Sequence, residues 1–331
     1  MSTFQIRALW ALVLSEISWA ILLVASRFAV SGFEIDPFLF STIQLFSGGV
    51  VLTLLSRQRI VWRDFLLDRH TLLYGLARVG TGAFFTAALV HVMASSASML
   101  GIFNVTVGML FAVILHRKLP GRGELWGHLL IAAGFLALCL QLQDGFANPA
   151  VLYMLASEVC VVVSTIAAER HPQNQDDNAA RRAYLTGVLL TVSGFLTVLV
   201  TLIIQGLNFA IFDRTPGAAP LKSMYGLMQP EIWIAGILFG IFLRGPVVYF
   251  SLRAIQQAGG QSYLAFSAFL PFLSLGLERL AAAFGFGGGI QTTSHQIAIG
   301  LVMVLGSLWI LACQQSWPVA ARLTKMVRAR S

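Results

Sequence analysis

Two glutamates stand inside long apolar runs, Glu16 in LSEISWAILLVASR (14–27) and Glu158 in ASEVCVVVSTIAAE (156–169). A charged carboxylate at the centre of a bilayer costs at least about 2.5–3.5 kcal/mol. Residues placed there usually bind something or are paired. A carboxyl held out of water exchanges its proton nearer neutral pH, so both glutamates are candidates for proton or solute binding. The alternative is a structural ion pair with a buried arginine. Arg78 in GLARVGTG and Arg244 in FLRGPVV supply such arginines, and either could instead meet a carboxylate or phosphate on a solute. Gly80 and Gly82 should loosen the helix around Arg78. Gly245–Pro246 removes a backbone donor and should kink the helix around Arg244.

Weaker candidates lie on the same segments. Arg27 follows Glu16 by eleven residues, about 20° from the same helical face and about 16 Å further along the axis. That suits two depths of one cavity, with snorkelling of Arg27 to lipid headgroups as the bland reading. Ser267, Pro271, Ser274 and Glu278 recur at i, i+4, i+7 and i+11, a polar stripe that Tyr263 extends and that could wall a cavity. Glu278 and its neighbour Arg279 read as an interfacial pair. Asn104, between Gly101 and Gly108, marks a similar stripe. Trp19 could stack a solute, whereas Trp10, near a helix end, suits a membrane belt. The six histidines show no ligand spacing, and Cys139, Cys160 and Cys313 lie in apolar runs without a CxxC pair. Neither a metal, a disulfide nor a cofactor is implied, and no phosphate-binding loop points to ATP.

The elements that must position these residues follow from composition. Hydrophobic residues make up 57% of the 331 and charged residues 11%, against roughly 25% charged in ordinary globular chains. So few charges cannot cover a water-facing surface, which excludes a soluble enzyme, a disulfide-stapled secreted domain and a disordered chain. A bilayer-spanning helix needs about 20 mostly apolar residues. Ten such runs can be read, at 8–30, 37–56, 71–92, 96–116, 124–142, 149–168, 184–206, 231–252, 261–283 and 295–314. The expected fold is an all-α polytopic membrane protein with ten transmembrane helices.

With the N-terminus inside, the inner loops and tails collect sixteen of the 22 Lys and Arg residues and the outer loops only Arg214 and Lys222. That bias places both termini in the cytoplasm and explains the net charge of +8 without nucleic acid. Two connections are long. The inner loop 169–183 is mixed in charge and expected to be flexible. The outer segment 207–230, with Pro216, Pro220 and Pro230, reads as a tolerated insertion with room for a short interfacial helix or a gate.

Ten helices invite a test for duplication. Residues 14–27 align with 156–169, bringing Ser15–Glu16 onto Ser157–Glu158. Residues 75–89 align with 240–255, bringing Arg78 near Arg244, and GHLLIAAGFLAL in the fifth helix shares its small-residue texture with IAIGLVMVLGSLWIL in the tenth. The order is the same in both halves. A five-helix unit repeated in tandem enters the membrane in opposite orientations, giving inverted repeats. The division is 1–147 and 148–315, followed by a basic cytoplasmic tail at 316–331.

Ten short-looped helices in a 5 + 5 arrangement, with a glycine-bearing last helix in each half, resemble the drug/metabolite transporter superfamily of EamA-like repeats. AFSAFLPFLSLGLERLAAAFG (265–285) is similar to that family's proline-then-glutamate segment, here with Pro271 and Glu278 seven residues apart. Asn104 stands where a first-half proline would be expected. VLSEISWA (13–20) resembles the first-helix segment of the sister small multidrug resistance family. There a glutamate binds protons and substrate alternately, a role the resemblance extends to Glu16.

These readings converge on an expectation. A bacterial inner-membrane carrier would move an amino acid or related zwitterionic or anionic metabolite by alternating access, in the export direction, driven by proton exchange or by the solute's own gradient. Its partners would be the solute and membrane lipid, and it would act as a monomer or homodimer. An organic-cation or drug exporter of the same fold is the first alternative, and an integral-membrane enzyme or lipid-handling protein the second.

Overall fold

The computed structural model describes residues 3–32, 37–59, 61, 63, 68–89, 91–117, 119–212, 230–285 and 293–314. Lys118, Arg214, Lys222, the proline-bearing stretch 213–229 and the tail 316–331 lie outside the described residues. The described secondary structure is helical. In chain order it comprises α1 (Thr3–Gly32), α2 (Pro37–Leu55), α3 (Arg69–Leu89), α4 (Ala94–Gly101), α5 (Asn104–His116), α6 (Arg122–Leu140), α7 (Pro149–Arg170) and α8 (Ala179–Phe212). These are followed by α9 (Pro230–Phe239), α10 (Gly245–Ala258), α11 (Gly260–Phe266), α12 (Leu270–Ala283) and α13 (Ser294–Gln314). The helix α8 continues six residues into the segment expected to be loop from 207.

Eight described segments are long and apolar enough to cross a bilayer, and Leu39–Leu55 is apolar but shorter. This is an α-helical, multi-pass membrane protein. Its helices show why. Leu54, Ile114, Leu152, Phe242 and Trp309 are exposed on the outside, whereas Ser15, Glu16, Ser157, Thr186, Ser193 and Ser274 are buried. Apolar residues therefore face both outward and inward, and the buried layer admits small and polar groups, as helices packed in lipid require.

The stretches before and after residue 148 interleave. The helix α1 packs along α10 and α12, α3 along α7 and α8, α2 along α8 and α9, and α6 along α13. Between α6 and α13 the backbones nearly touch, since a Cβ on Gly127 would stand 2.6 Å from the Gly306 carbonyl oxygen and one on Gly306 2.8 Å from that of Gly127. Only glycine allows that approach.

Three breaks shape the interior. A π-turn, Gly240–Arg244, joins α9 to α10. Pro246 cannot donate its backbone bond to Phe242 and its ring crowds that carbonyl, so the helix opens just before it. A two-residue turn separates α4 from α5, and a 3₁₀ turn, Ser267–Phe269, separates α11 from α12. The loosening expected in α3 does not occur. That helix is unbroken, and Gly80 instead admits Cys160 of α7, whose Sγ would lie 2.6 Å from a Cβ at that position.

The loop 169–183, expected to be flexible, is tied down. Asn174 is fully buried and donates to the carbonyls of Ala168 and Leu252. His171 meets Thr71 at 3.1 Å and Asp68 at 3.3 Å. Arg182 hydrogen-bonds Gln256, and the backbone N–H of Gly260 donates to Glu169. Its polar residues are thus spent on fastening α3, α7, α8, α10 and α11 at one end of the bundle.

Candidate functional site

One cavity of about 390 Å³ runs between the helices, lined from both halves of the chain. The helix α1 contributes Glu16, Trp19, Leu23 and Arg27, a spacing of i, i+3, i+7 and i+11 that keeps one face inward. Tyr74, Arg78 and Phe85 repeat the pattern on α3, and Glu158, Val161 and Thr165 extend it on α7. Arg244, at the end of the π-turn, is followed at the same spacings by Val248, Ser251 and Ile255. Asn104, Tyr263 and Ser267 come from the broken helices.

The cavity therefore brings together Glu16, Glu158, Arg78, Arg244, Trp19, Arg27, Asn104, Tyr263 and Ser267. Pro271 and Ser274 do not line it. Both are buried in α12, and the 3₁₀ turn at Ser267–Phe269 is the reason. Three residues at three per turn advance the phase by about 60° more than an α-helix would, so the stripe that starts at Tyr263 leaves the cavity after Ser267. Glu278, at the far end of that stripe, does not pair with Arg279. It accepts a 2.6 Å hydrogen bond from Arg27 of α1, which explains Arg27 better than lipid snorkelling does. Arg27 also donates to the Met93 sulfur.

Around Trp19 the contacts are dense. Its indole N–H donates to Ser251 at 2.9 Å and to Tyr263 at 3.2 Å, and Ser251 also meets Ser15 at 3.0 Å. The guanidinium carbon of Arg78 sits over the Trp19 ring at 5.1 Å and that of Arg244 at 5.8 Å. Both are cation–π distances. Arg78 donates to the Tyr74 hydroxyl at 3.1 Å, and Arg244 to Ser41 at 3.2 Å. The two guanidiniums are near enough to repel each other. Among the described residues, no ion pair joins either arginine to a carboxylate.

The glutamates differ from each other. Glu16 is 1% exposed, and neither of its oxygens has a hydrogen-bond partner among the described residues. Glu158 is 5% exposed and interacts with the Asn104 side chain, which also donates to Ser267. The buried Glu–Arg pair considered as an alternative is not formed by either glutamate. Other buried polar atoms of the cavity also lack partners, among them Gln44 Oε1, Ser98 Oγ, Asn104 Oδ1 and Arg244 Nε. Native proteins pair most such atoms, so the cavity wall presents polar groups that the protein itself does not satisfy, as do several positions outside the cavity, among them His128 Nδ1 and Asn174 Oδ1.

Protein-family models and curated protein sequences offer no match to this chain. Its fold has been seen. Among solved structures it resembles one described as "Crystal structure of protein", with a TM-score of 0.59 at 18% identity, over 95% of this chain and 99% of that one. At that identity the likeness concerns the fold alone, over nearly the whole of both chains.

Tyr74, Ser41, Gln44, Ser98, Thr165 and Ser251 are among the polar cavity residues that the sequence did not single out. Ser251 was within reach, being seven residues after Arg244 and so on the same helical face. Tyr74 stands four before Arg78 on the same terms. Ser41 and Gln44 carry no comparable signal.

Proposed function

We propose that this chain is a ten-helix secondary transporter of the drug/metabolite transporter type. It moves a small charged organic solute, an amino acid or related zwitterionic or anionic metabolite, by alternating access between two inverted five-helix halves. The observation that carries the reading is the single cavity lined by repeat-related charges, Glu16 and Arg78 from the first half and Glu158 and Arg244 from the second.

The helix pairings support two equivalent halves. Exchanging α1 with α7, α2 with α8, α3 with α9–α10, α4–α5 with α11–α12 and α6 with α13 turns the α1–α10 contact into α7–α3, and α2–α9 into α8–α3. It turns the α1–α12 contact into that of α7 with α4 and α5. The pairs α2–α8 and α6–α13 map onto themselves. A carrier built this way can rock one half against the other about a fixed solute site. In this reading the chain sits in a bacterial cytoplasmic membrane with both termini inside, acts as a monomer or homodimer, and leaves its solute chemically unchanged. An organic-cation carrier would leave Arg78 and Arg244 facing the solute without counter-charge, which favours a solute carrying an anionic group.

Proteoliposomes test this with a panel of amino acids, organic anions and organic cations, following uptake and internal pH. Saturable uptake of an amino acid or organic anion, absent from protein-free liposomes, is the expected result. Loss of the accompanying proton signal in Glu16→Gln would assign proton coupling to that residue. No uptake across the panel by folded protein would refute the transport reading.

A further inference from the structure

Both broken helices meet at one small group of oxygens. Asn104 opens α5 just after the first break, and Ser267 opens the 3₁₀ turn that forms the second. The Asn104 amide donates to the Ser267 hydroxyl at 3.2 Å, so the two breaks are bonded to each other directly. Glu158 of α7 reaches the same point. Its side chain interacts with that of Asn104, and one of its carboxylate oxygens would lie 3.2 Å from a Cβ on Gly101, the last residue of α4. All four residues line the cavity.

Acceptors outnumber donors in this group. The N–H groups of Ile102, Phe103, Val105 and Thr106 go to the carbonyls of Met99, Leu100, Ile102 and Phe103. None of the described backbone bonds at the break is given to the Gly101 carbonyl, which stands at the electronegative end of α4. Asn104 is 6% exposed, and its Oδ1 has no partner. Ser267 donates its own proton to the Leu264 carbonyl at 2.7 Å, so towards Asn104 its oxygen can only accept. Among the described residues, no lysine, arginine or histidine pairs with Glu158. The group lacks a positive charge.

From this we infer that Glu158, Asn104, Ser267 and the Gly101 carbonyl form a site for a monovalent alkali-metal cation. All four ligands are hard oxygens, which suit such an ion and not a soft metal. One carboxylate balances one positive charge, whereas a divalent ion would leave a net charge among apolar helices. The two ends of the Asn104 amide have nearly the same shape. A half-turn of it replaces the N–H that now faces Ser267 with Oδ1 and completes the set. Carbonyls at the C-terminal ends of broken helices are what carriers use to hold coupling ions. Here the ligands come from both breaks and from α7, so the ion ties together elements that alternating access would move apart. Glu158 then serves the ion, and the arginines around Trp19 remain for the solute.

The test follows the melting temperature of the detergent-solubilised full chain against NaCl and KCl. The pH is fixed, and choline chloride keeps the ionic strength constant. Sodium or potassium should raise the melting temperature by several degrees over choline, with the logarithm of concentration once the dissociation constant is passed. The ion that acts at the lower concentration is the one selected. Glu158→Gln should abolish the rise, and Ser267→Ala should move it to several-fold higher concentration. The comparison of salts uses unmodified protein and stands even if a variant fails to fold.

Equal melting temperatures in the three salts would overturn the inference. So would an undiminished rise in folded Glu158→Gln. Either result would leave the transport reading standing, since the uptake panel tests that reading by itself.

Discussion

Polar residues are handled in opposite ways at two places in this bundle. At the end closed by loop 169–183 the charged groups are joined to one another or to polar neighbours, although single atoms such as Asn174 Oδ1 and Arg182 Nε have no hydrogen-bond partner among the described residues. Asp68 meets His171 and Thr71, Arg181 meets Asp176 at 3.0 Å, and Arg182 bonds both Gln256 and the Asp176 carbonyl. In the cavity, Glu16 and the acceptor of Gln44 have no partner, and two arginines share a tryptophan with no acid between them. The first arrangement holds helices in place. The second leaves polar groups unsatisfied inside the protein, which is what the proposed carrier requires of a site that a solute enters and leaves.

If that contrast is correct, equivalent substitutions should have opposite consequences. Arg182 is 3% exposed and bonded to two elements. Replacing it by leucine strands Gln256 and the Asp176 carbonyl, and should cost about 2–3 kcal/mol of stability, read as a melting temperature several degrees lower. Arg244→Leu removes a half-buried charge whose one hydrogen-bond partner among the described residues is Ser41, and should leave the melting temperature unchanged or raised while abolishing solute binding. Equal destabilisation by both would erase the distinction.

A smaller effect concerns pH. Burial pushes the Asp68 carboxyl upward, but the Thr71 backbone N–H and the facing His171 outweigh it and hold the group below the usual carboxylate value. A depressed carboxylate stabilises the fold above its unfolded pKa of about 3.9 and loses that contribution as pH falls through the folded value. Asp68→Asn should therefore lower the melting temperature modestly at neutral pH and flatten its decline below about pH 4. A decline of unchanged steepness would show that the loop is held by its neutral contacts alone.

Much of this was legible in the sequence because charge inside an apolar run is rare and costly. Glu16, Glu158, Arg78 and Arg244 stood out on that ground, and all four line one cavity. What was not legible depended on partners distant in sequence. Arg279 is next to Glu278 in the chain, but Arg27, 251 residues away, is the one bonded to it. Loop 169–183 looked mobile because its composition is polar, yet its polar groups find partners on α3, α10 and α11. The stripe through Pro271 and Ser274 assumed one continuous helix, and a three-residue 3₁₀ turn changed its phase. Periodicity predicts a face only while the helix keeps its period.

The proposed carrier requires that the cavity be the path of the solute. The direct measurement is uptake of a panel solute by proteoliposomes carrying the unmodified chain or the double variant Arg78→Gln/Arg244→Gln, with melting temperatures matched to show that both are folded. Saturable uptake by the first and background uptake by the second are the expected results. Undiminished uptake by a folded double variant would place the path elsewhere and return the two arginines to a structural role.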